Sequence, residues 1–463
     1  MRTHRIYIYI VMAAILMGPA REVAAQGFNI VETGTRKNGM GAAIGRPDDA
    51  SAVYHNPAGL TLQKGTHVFV SWTSVFLNTD IRLQPWSGAN KYIKEKVDAE
   101  GYYPRTSPST FAAIPMIVAR TNLFSERLVG AASIYVPNAA GAKFDAPVAR
   151  YHLIDSYIIA AFATLSAAYK VSDWLSVGGG VSLVYVKLFA KRMFFPEVKT
   201  QDMDKPVDLG YYLGGGSEME MAGEDVVPAF NLGLLLTPFK ELTIGFTVMT
   251  PYTVNIEGDV TLKFGEDARI KDTAKVDQWD GTQVTNADAP WILFMGANLD
   301  IFPWLEVGGE LRYYFTSSVG DQVTKITGIE LLETFGLNEL VTPKNLRNYF
   351  QVSGGFMVKP RLNIPLKMEL MAGVHYESAS APYNTITVEQ PSFSHWGIHL
   401  GARLLFLKRY RVGLCYWHYE YLERNGRESL TIPPTNFQGS GNADAFTVTL
   451  EVMFSSGGIA YKP

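Results

Sequence analysis

Few residues of this 463-residue chain could do chemistry, and most of them fail on spacing. Gly39-Met40-Gly41 begins like a dinucleotide-phosphate loop, but the third glycine is off register and no strand precedes it. The chain has no His-Glu-x-x-His pair to hold zinc and no Gly-x-Ser-x-Gly turn to expose a nucleophile. Asp48 and Asp49 could suggest a cation, yet adjacent aspartates in a turn ordinarily cap backbone N–H groups. Cys415 is the one cysteine, which excludes an intramolecular disulfide and a cysteine-rich metal centre, and it reads as an inert thiol. What remains is charge at two-residue spacing: Glu306, Glu310 and Arg312; Lys367, Glu369, His375 and Glu377; His395, His399 and Arg403. Arginine can hold a carboxylate through two parallel hydrogen bonds, so Arg312, His375 and His399 form a candidate ligand-binding set for an anionic head group. Glu310 and Glu377 could instead neutralise these cations, and the set would then only hold structure together. No catalytic residue, metal site or cofactor is expected.

The elements that position these residues alternate with period two. Leu305, Val307, Leu311, Tyr313 and Phe315 face one way, and Glu306, Glu310 and Arg312 face the other. The same pattern marks strands at 66–83, 110–120, 126–137, 156–170, 173–190, 226–236 and 241–264. It continues at 289–300, 304–316, 347–359, 365–378, 395–407, 410–421 and 444–454, which makes fourteen. Alternate connections are short (121–125, 171–172, 237–240, 301–303, 360–364, 408–409), while those between run from 84–109 to 422–443 and are long. Short turns on one side and long loops on the other are the pattern of an outer-membrane barrel, and closure removes the strand edges that hydrocarbon would penalise. The fold class expected is therefore all-β, a transmembrane antiparallel β-barrel of about fourteen strands over 66–454. Tyr157, Tyr169, Trp174, Trp291, Trp304 and Trp396 near strand ends suit an interfacial girdle. Pro115 and Pro251 fall inside strands, where each removes a ladder donor; Pro115 is read as a kink in the wall.

Arg2, Arg5 and the apolar run from Ile6 to Met17 read as a secretory signal over residues 1–25, cut after Ala25. That run is too short to span a bilayer as a helix. A net charge of −3 without a basic run gives no footprint for nucleic acid. Residues 26–65 do not alternate and are rich in small side chains, which suits a plug inside a barrel wider than its own side chains can fill. Residues 455–463 form a C-terminal tail beyond Phe454.

The run Gly39-Met40-Gly41-Ala42-Ala43, followed by Asp48 to Leu60 with Asn56-Pro57-Ala58 at its centre, resembles the hatch of the outer-membrane long-chain fatty acid transporter family (FadL-like). That family also includes aromatic-hydrocarbon channels. Ala168 to Gly178, Thr250-Pro251-Tyr252 and Gly373 to Pro382 add to the likeness, which spans the mature chain. The tail after Phe454 and the uncharged stretch Pro391 to His395 depart from the family pattern. The resemblance implies an N-terminal hatch whose Asn56-Pro57-Ala58 motif packs near Pro115. It also implies a lateral wall opening near the third strand, in the region Gly130 to Gly141. The function implied is passive uptake of hydrophobic compounds, long-chain fatty acids first and aromatic hydrocarbons second, in a Gram-negative outer membrane. A surface adhesin or structural barrel is the alternative from another class, with the amphipathic stretch Ile329 to Val341 as its working part; a lipid hydrolase lacks an outward Ser/His pair. Expected partners are outer-membrane lipids, the barrel-assembly machinery and a hydrophobic small-molecule substrate, with no nucleic acid, and the chain is expected to be a monomer.

Overall fold

The computed structural model describes residues 32–194, 197–198, 207–208, 213, 216–266, 268–361 and 366–454; the expected signal peptide and the tail after Phe454 lie outside them. Strands β1 (His67–Leu83), β2 (Ser109–Asn122), β3 (Leu128–Lys143), β4 (Asp155–Lys170) and β5 (Leu175–Met193) pair in sequence order. Strand β6 is Glu218–Phe239; β7 runs as Leu242–Met249 and Tyr252–Lys263, and β8 as Gln278–Ala289 and Ile292–Phe302. Then come β9 (Leu305–Tyr314), β10 (Tyr349–Val358), β11 (Leu366–Glu377), β12 (His395–Phe406), β13 (Tyr410–Gly426) and β14 (Phe437–Met453). β14 pairs with β1 from His67↔Met453 to Leu83↔Phe437, so the sheet closes into a fourteen-strand antiparallel barrel.

Alternation explains the two faces. Trp396, Ile398 and Leu400 of β12 point outward and are exposed, while His395, His399 and Arg403 point inward and are buried. Tyr169, Trp174, Trp291, Trp304 and Trp396 are exposed on the outer face, as a girdle requires. The stretch 278–288, expected as loop, is strand: its outward residues, such as Asp280 and Thr282, are polar. Strands that rise past the lipid lose the apolar face that makes them legible. The loop between β9 and β10 folds a hairpin (Gln322–Thr327 with Glu339–Thr342) that extends the sheet beside β8. Its short helix, Glu330–Thr334, buries Leu332 with neighbouring Ile329 in a cluster with Phe264 and Leu262, so the apolar face expected to serve a partner is used internally.

Two interruptions break the ladder. β2–β3 pairing runs from Asn122↔Val129 to Met116↔Tyr135 and stops one residue before Pro115. In β3 the register against β4 shifts between Tyr135 and Asn138, which isolates Val136 and Pro137. Neither proline has an N–H to donate, so the gap leaves fewer unpaired groups facing lipid. The second lies between β6 and β7: pairing ends at Asn231↔Met249 and resumes at Glu224↔Glu257, with Pro251 between the two halves of β7.

Residues 32–60 are almost wholly buried and pack against inward-facing residues of the strands. Helix α1 (Thr35–Met40) packs on β10 to β14, and the 3-10 turn Pro57–Leu62 packs on β3 to β6; α2 (Ala52–His55) lies between them. The hatch backbone rests directly on lumen-facing glycines. A side chain at Gly245 would collide with the Ile44 carbonyl, and one at Gly373 with the Met40 carbonyl.

Candidate functional site

The hatch meets the wall in two chemically different sectors. On the β8–β14 side the contact is ionic. The Asp48 carboxylate accepts from Arg36 Nη2 (2.8 Å) and from Arg403 Nη1 and Nη2 (2.7 and 2.8 Å). Arg36 continues to Glu306, which also meets Arg46 (3.1 Å) and Lys359 (3.0 Å). Lys37 Nζ donates to Glu310 (2.8 Å) and Gln351 (2.7 Å), and the Glu310 carboxylate also accepts from the backbone N–H groups of Ala43 and Ile44. Charges this deep persist only when paired and hydrogen-bonded.

The candidate head-group residues belong to this sector. Arg312 is fully buried; its Nε donates to Glu310 (2.9 Å), its Nη2 meets His55 Nδ1 (3.1 Å), and its guanidinium lies 4.4 Å from the Phe294 ring centre. Its Nη1 has no partner among the described residues. His375 Nδ1 and His399 Nε2 are 2.8 Å apart, and His399 Nδ1 lies 3.2 Å from the Asn38 carbonyl. Arg312 and His399 thus touch the hatch directly, and His375 reaches it through His399. The sequence separated them from Lys37, Asp48 and Arg36, and no periodicity linked the hatch to the wall.

Asn56 spans the hatch and the β6 wall. Its Nδ2 donates to Leu234 O (3.0 Å) and its Oδ1 accepts from Ala58 N (3.1 Å). Pro57 and Ala58 start the turn that sits over Gly178 and Gly233. The motif therefore packs on β5 and β6, whereas Pro115 lies in β2, at the edge of the first wall interruption.

On the other side, between the hatch and strands β3 to β8, is a cavity of about 180 Å³. Tyr54 of the hatch, Tyr135, Phe162, Ala229, Met249 and Val254 line its inner part, where the surface is mostly apolar. Pro137 and Asn138, at the β3 bulge, line it too, so the cavity reaches the β2–β3 interruption. Its outer part is polar: Asp321, Gln322, Lys344 and Gln390 come from the loops. Lys344 Nζ donates to Gln390 Oε1 (3.1 Å); burial lowers the pKa of this ammonium, against the pull of Glu389 and Asp321. Burial likewise raises the Glu389 carboxyl above the usual range, against Arg192 and Lys344. Arg312, His375 and His399 are not among the residues that line the cavity. The lining residues lie on the hatch, seven strands and two loops, so no local pattern in the sequence marked them as one site.

Comparison with known proteins supplies the family. The family described as outer membrane protein transport protein (OMPP1/FadL/TodX) matches residues 17–391. Among solved structures, a Pseudomonas aeruginosa FadL homologue superposes with a TM-score of 0.74 at 17% identity, covering 93% of this chain and 100% of that one. The Pseudomonas putida toluene transporter TodX gives 0.67 at 15% identity over 94% and 99% of the two chains. The Ralstonia pickettii toluene transporter TbuX gives 0.62 at 16% over 93% and 99%. No curated protein matches by sequence.

Proposed function

The chain belongs to the outer membrane protein transport family of FadL and TodX, outer-membrane channels for hydrophobic compounds, and on that premise we propose passive uptake through the cavity with sideways release at the β2–β3 interruption. One observation carries this reading: the apolar cavity ends on Pro137 and Asn138, where the wall loses its pairing. A hydrophobic molecule leaving there would enter lipid without parting the ion pairs that hold the hatch to β8–β14.

Cavity size bears on the substrate. An engineered apolar cavity of about 150 Å³ takes up benzene, whereas pockets that enclose drug-sized ligands run to roughly 300–1,000 Å³. A volume of about 180 Å³ therefore favours a single aromatic ring over a whole long-chain fatty acid, and we put the aromatic-hydrocarbon reading first. The fatty-acid reading has its own support in Lys344, a cation at the outer end of the same cavity. We further propose that the barrel functions as a monomer held by outer-membrane lipids after insertion by the barrel-assembly machinery.

Filling the wall tests the release step. Ala112 and Ala139 pack together beside the interruption, and Ala112→Trp with Ala139→Trp would close it. Expected is loss of most toluene uptake by cells, with toluene binding to the purified barrel retained. Undiminished uptake at normal outer-membrane levels would refute sideways release.

A further inference from the structure

The inner end of the cavity carries polar groups that a plain hydrocarbon does not use. Asn138, 6% exposed on the β3 bulge, donates through Nδ2 to Tyr252 Oη (3.0 Å), and its Oδ1 has no partner among the described residues. Tyr54, 2% exposed on the hatch, lines the same cavity with its Oη also unpartnered. Tyr252 Oη accepts from Asn138 and still has a proton to donate. Around these atoms the aromatic rings form a chain. Tyr54 and Tyr135 are 5.7 Å apart, Tyr135 and Phe162 stack at 5.5 Å, and Phe162 meets Tyr252 edge-on at 6.1 Å.

These groups discriminate between ligand chemistries. A buried amide oxygen without a donor is costly, and a hydrocarbon beside it leaves that cost in place. A carboxylate supplies no donor and brings negative charge against the carbonyl oxygen. A neutral hydroxyl matches both needs: its proton goes to Asn138 Oδ1, and its oxygen accepts from Tyr54 or Tyr252. An aromatic ring bearing that hydroxyl would lie against the surrounding rings in edge-to-face or offset contact.

We propose that the inner cavity is a recognition site for hydroxylated monoaromatics of the phenol class, with Asn138 as the hydroxyl acceptor and Tyr54 and Tyr252 as donors. The site lies where the wall pairing stops, so a ligand is read immediately before release. This inference rests on the channel reading and narrows its substrate.

The test is calorimetric titration of the purified full-length barrel in detergent-free nanodiscs with p-cresol, toluene and p-toluate. Expected is p-cresol binding about tenfold tighter than toluene, which corresponds to about 1.4 kcal/mol, and p-toluate binding more weakly than p-cresol. Asn138→Leu should reduce the p-cresol-to-toluene affinity ratio about tenfold. Tyr252→Phe, which keeps the ring and suits the fold if the first variant fails to assemble, should reduce the same ratio. Equal affinity for p-cresol and toluene, tightest binding of p-toluate, or an unchanged ratio in both variants would overturn the proposal. Toluene binding with no preference for the hydroxyl would sink this inference alone; failure of all three ligands to bind, together with absent uptake, would sink the channel reading as well.

Discussion

Removal of the Asp48 carboxylate should unlatch the hatch. In the folded barrel this one group accepts from two guanidinium groups, Arg36 and Arg403, and its side chain is 22% exposed. Asp48→Ala leaves two cations facing each other across a small void. Breaking a buried pair by deleting one partner costs about 3–5 kcal/mol. Arg36 keeps Glu306 and Arg403 keeps Glu369, so the lower end applies, about 3 kcal/mol. At 1.4 kcal/mol per decade, that raises the undocked population roughly 100-fold. A fourteen-strand barrel without its hatch is a wide pore. Single-channel recording in planar bilayers should therefore show large openings about 100-fold more often than in the wild type, and Asp48→Asn should fall between. Opening frequencies within about threefold of wild type, in a variant that assembles normally, would show that Asp48 does not latch the hatch.

Other substitutions separate the two sectors. Asn56→Ala removes bonds to Leu234 and Ala58 and should loosen the hatch by about 1–3 kcal/mol, impairing uptake while the barrel assembles; unchanged uptake at normal expression would count against it. Arg312→Ala should weaken binding of a fatty acid and of a neutral hydrocarbon equally, because Arg312 is committed to Glu310 and His55. A loss confined to the acid would instead put a carboxylate on the unpartnered Nη1. If Lys344 holds an acid head group, burial makes it lose its proton below the ordinary lysine range. Octanoate binding should then fall as pH rises through that lowered pKa, with toluene binding flat; parallel pH profiles would exclude the lysine.

The barrel was legible because lipid and lumen impose opposite demands on alternate residues, so β9 and β12 announced both faces in their spacing. The same rule explains what was missed. Gln278–Ala289 carries polar residues on its outer face and lost its signature, and β14 begins at Phe437, seven residues before the expected strand at 444–454. The hatch motif was readable as a string, but its receptor was not. Gly178, Gly233 and Gly245 are separated in sequence and become one surface only when β5, β6 and β7 pair. Alternation put Arg312, His375 and His399 inward, but it could not say that hatch groups already occupy most of the space in front of them.

That division of the lumen bears on mechanism. The ion pairs hold α1 and the loop after it against β8 to β14, and each buried charge there is costly to separate from its partner. On the opposite side the hatch presents Tyr54 to the cavity, and neutral hydrogen bonds tie it to the wall: Asn231 Nδ2 to Val53 O, Thr247 Oγ1 to His55 O and Asn56 Nδ2 to Leu234 O. A ligand in the cavity therefore presses on the edge of the hatch that neutral hydrogen bonds hold. Motion there breaks neutral hydrogen bonds of about 1 kcal/mol each, whereas moving α1 away from β8 to β14 would separate buried ion pairs. On the proposed uptake reading, the route of lower cost therefore runs past Asn138 and out through the wall.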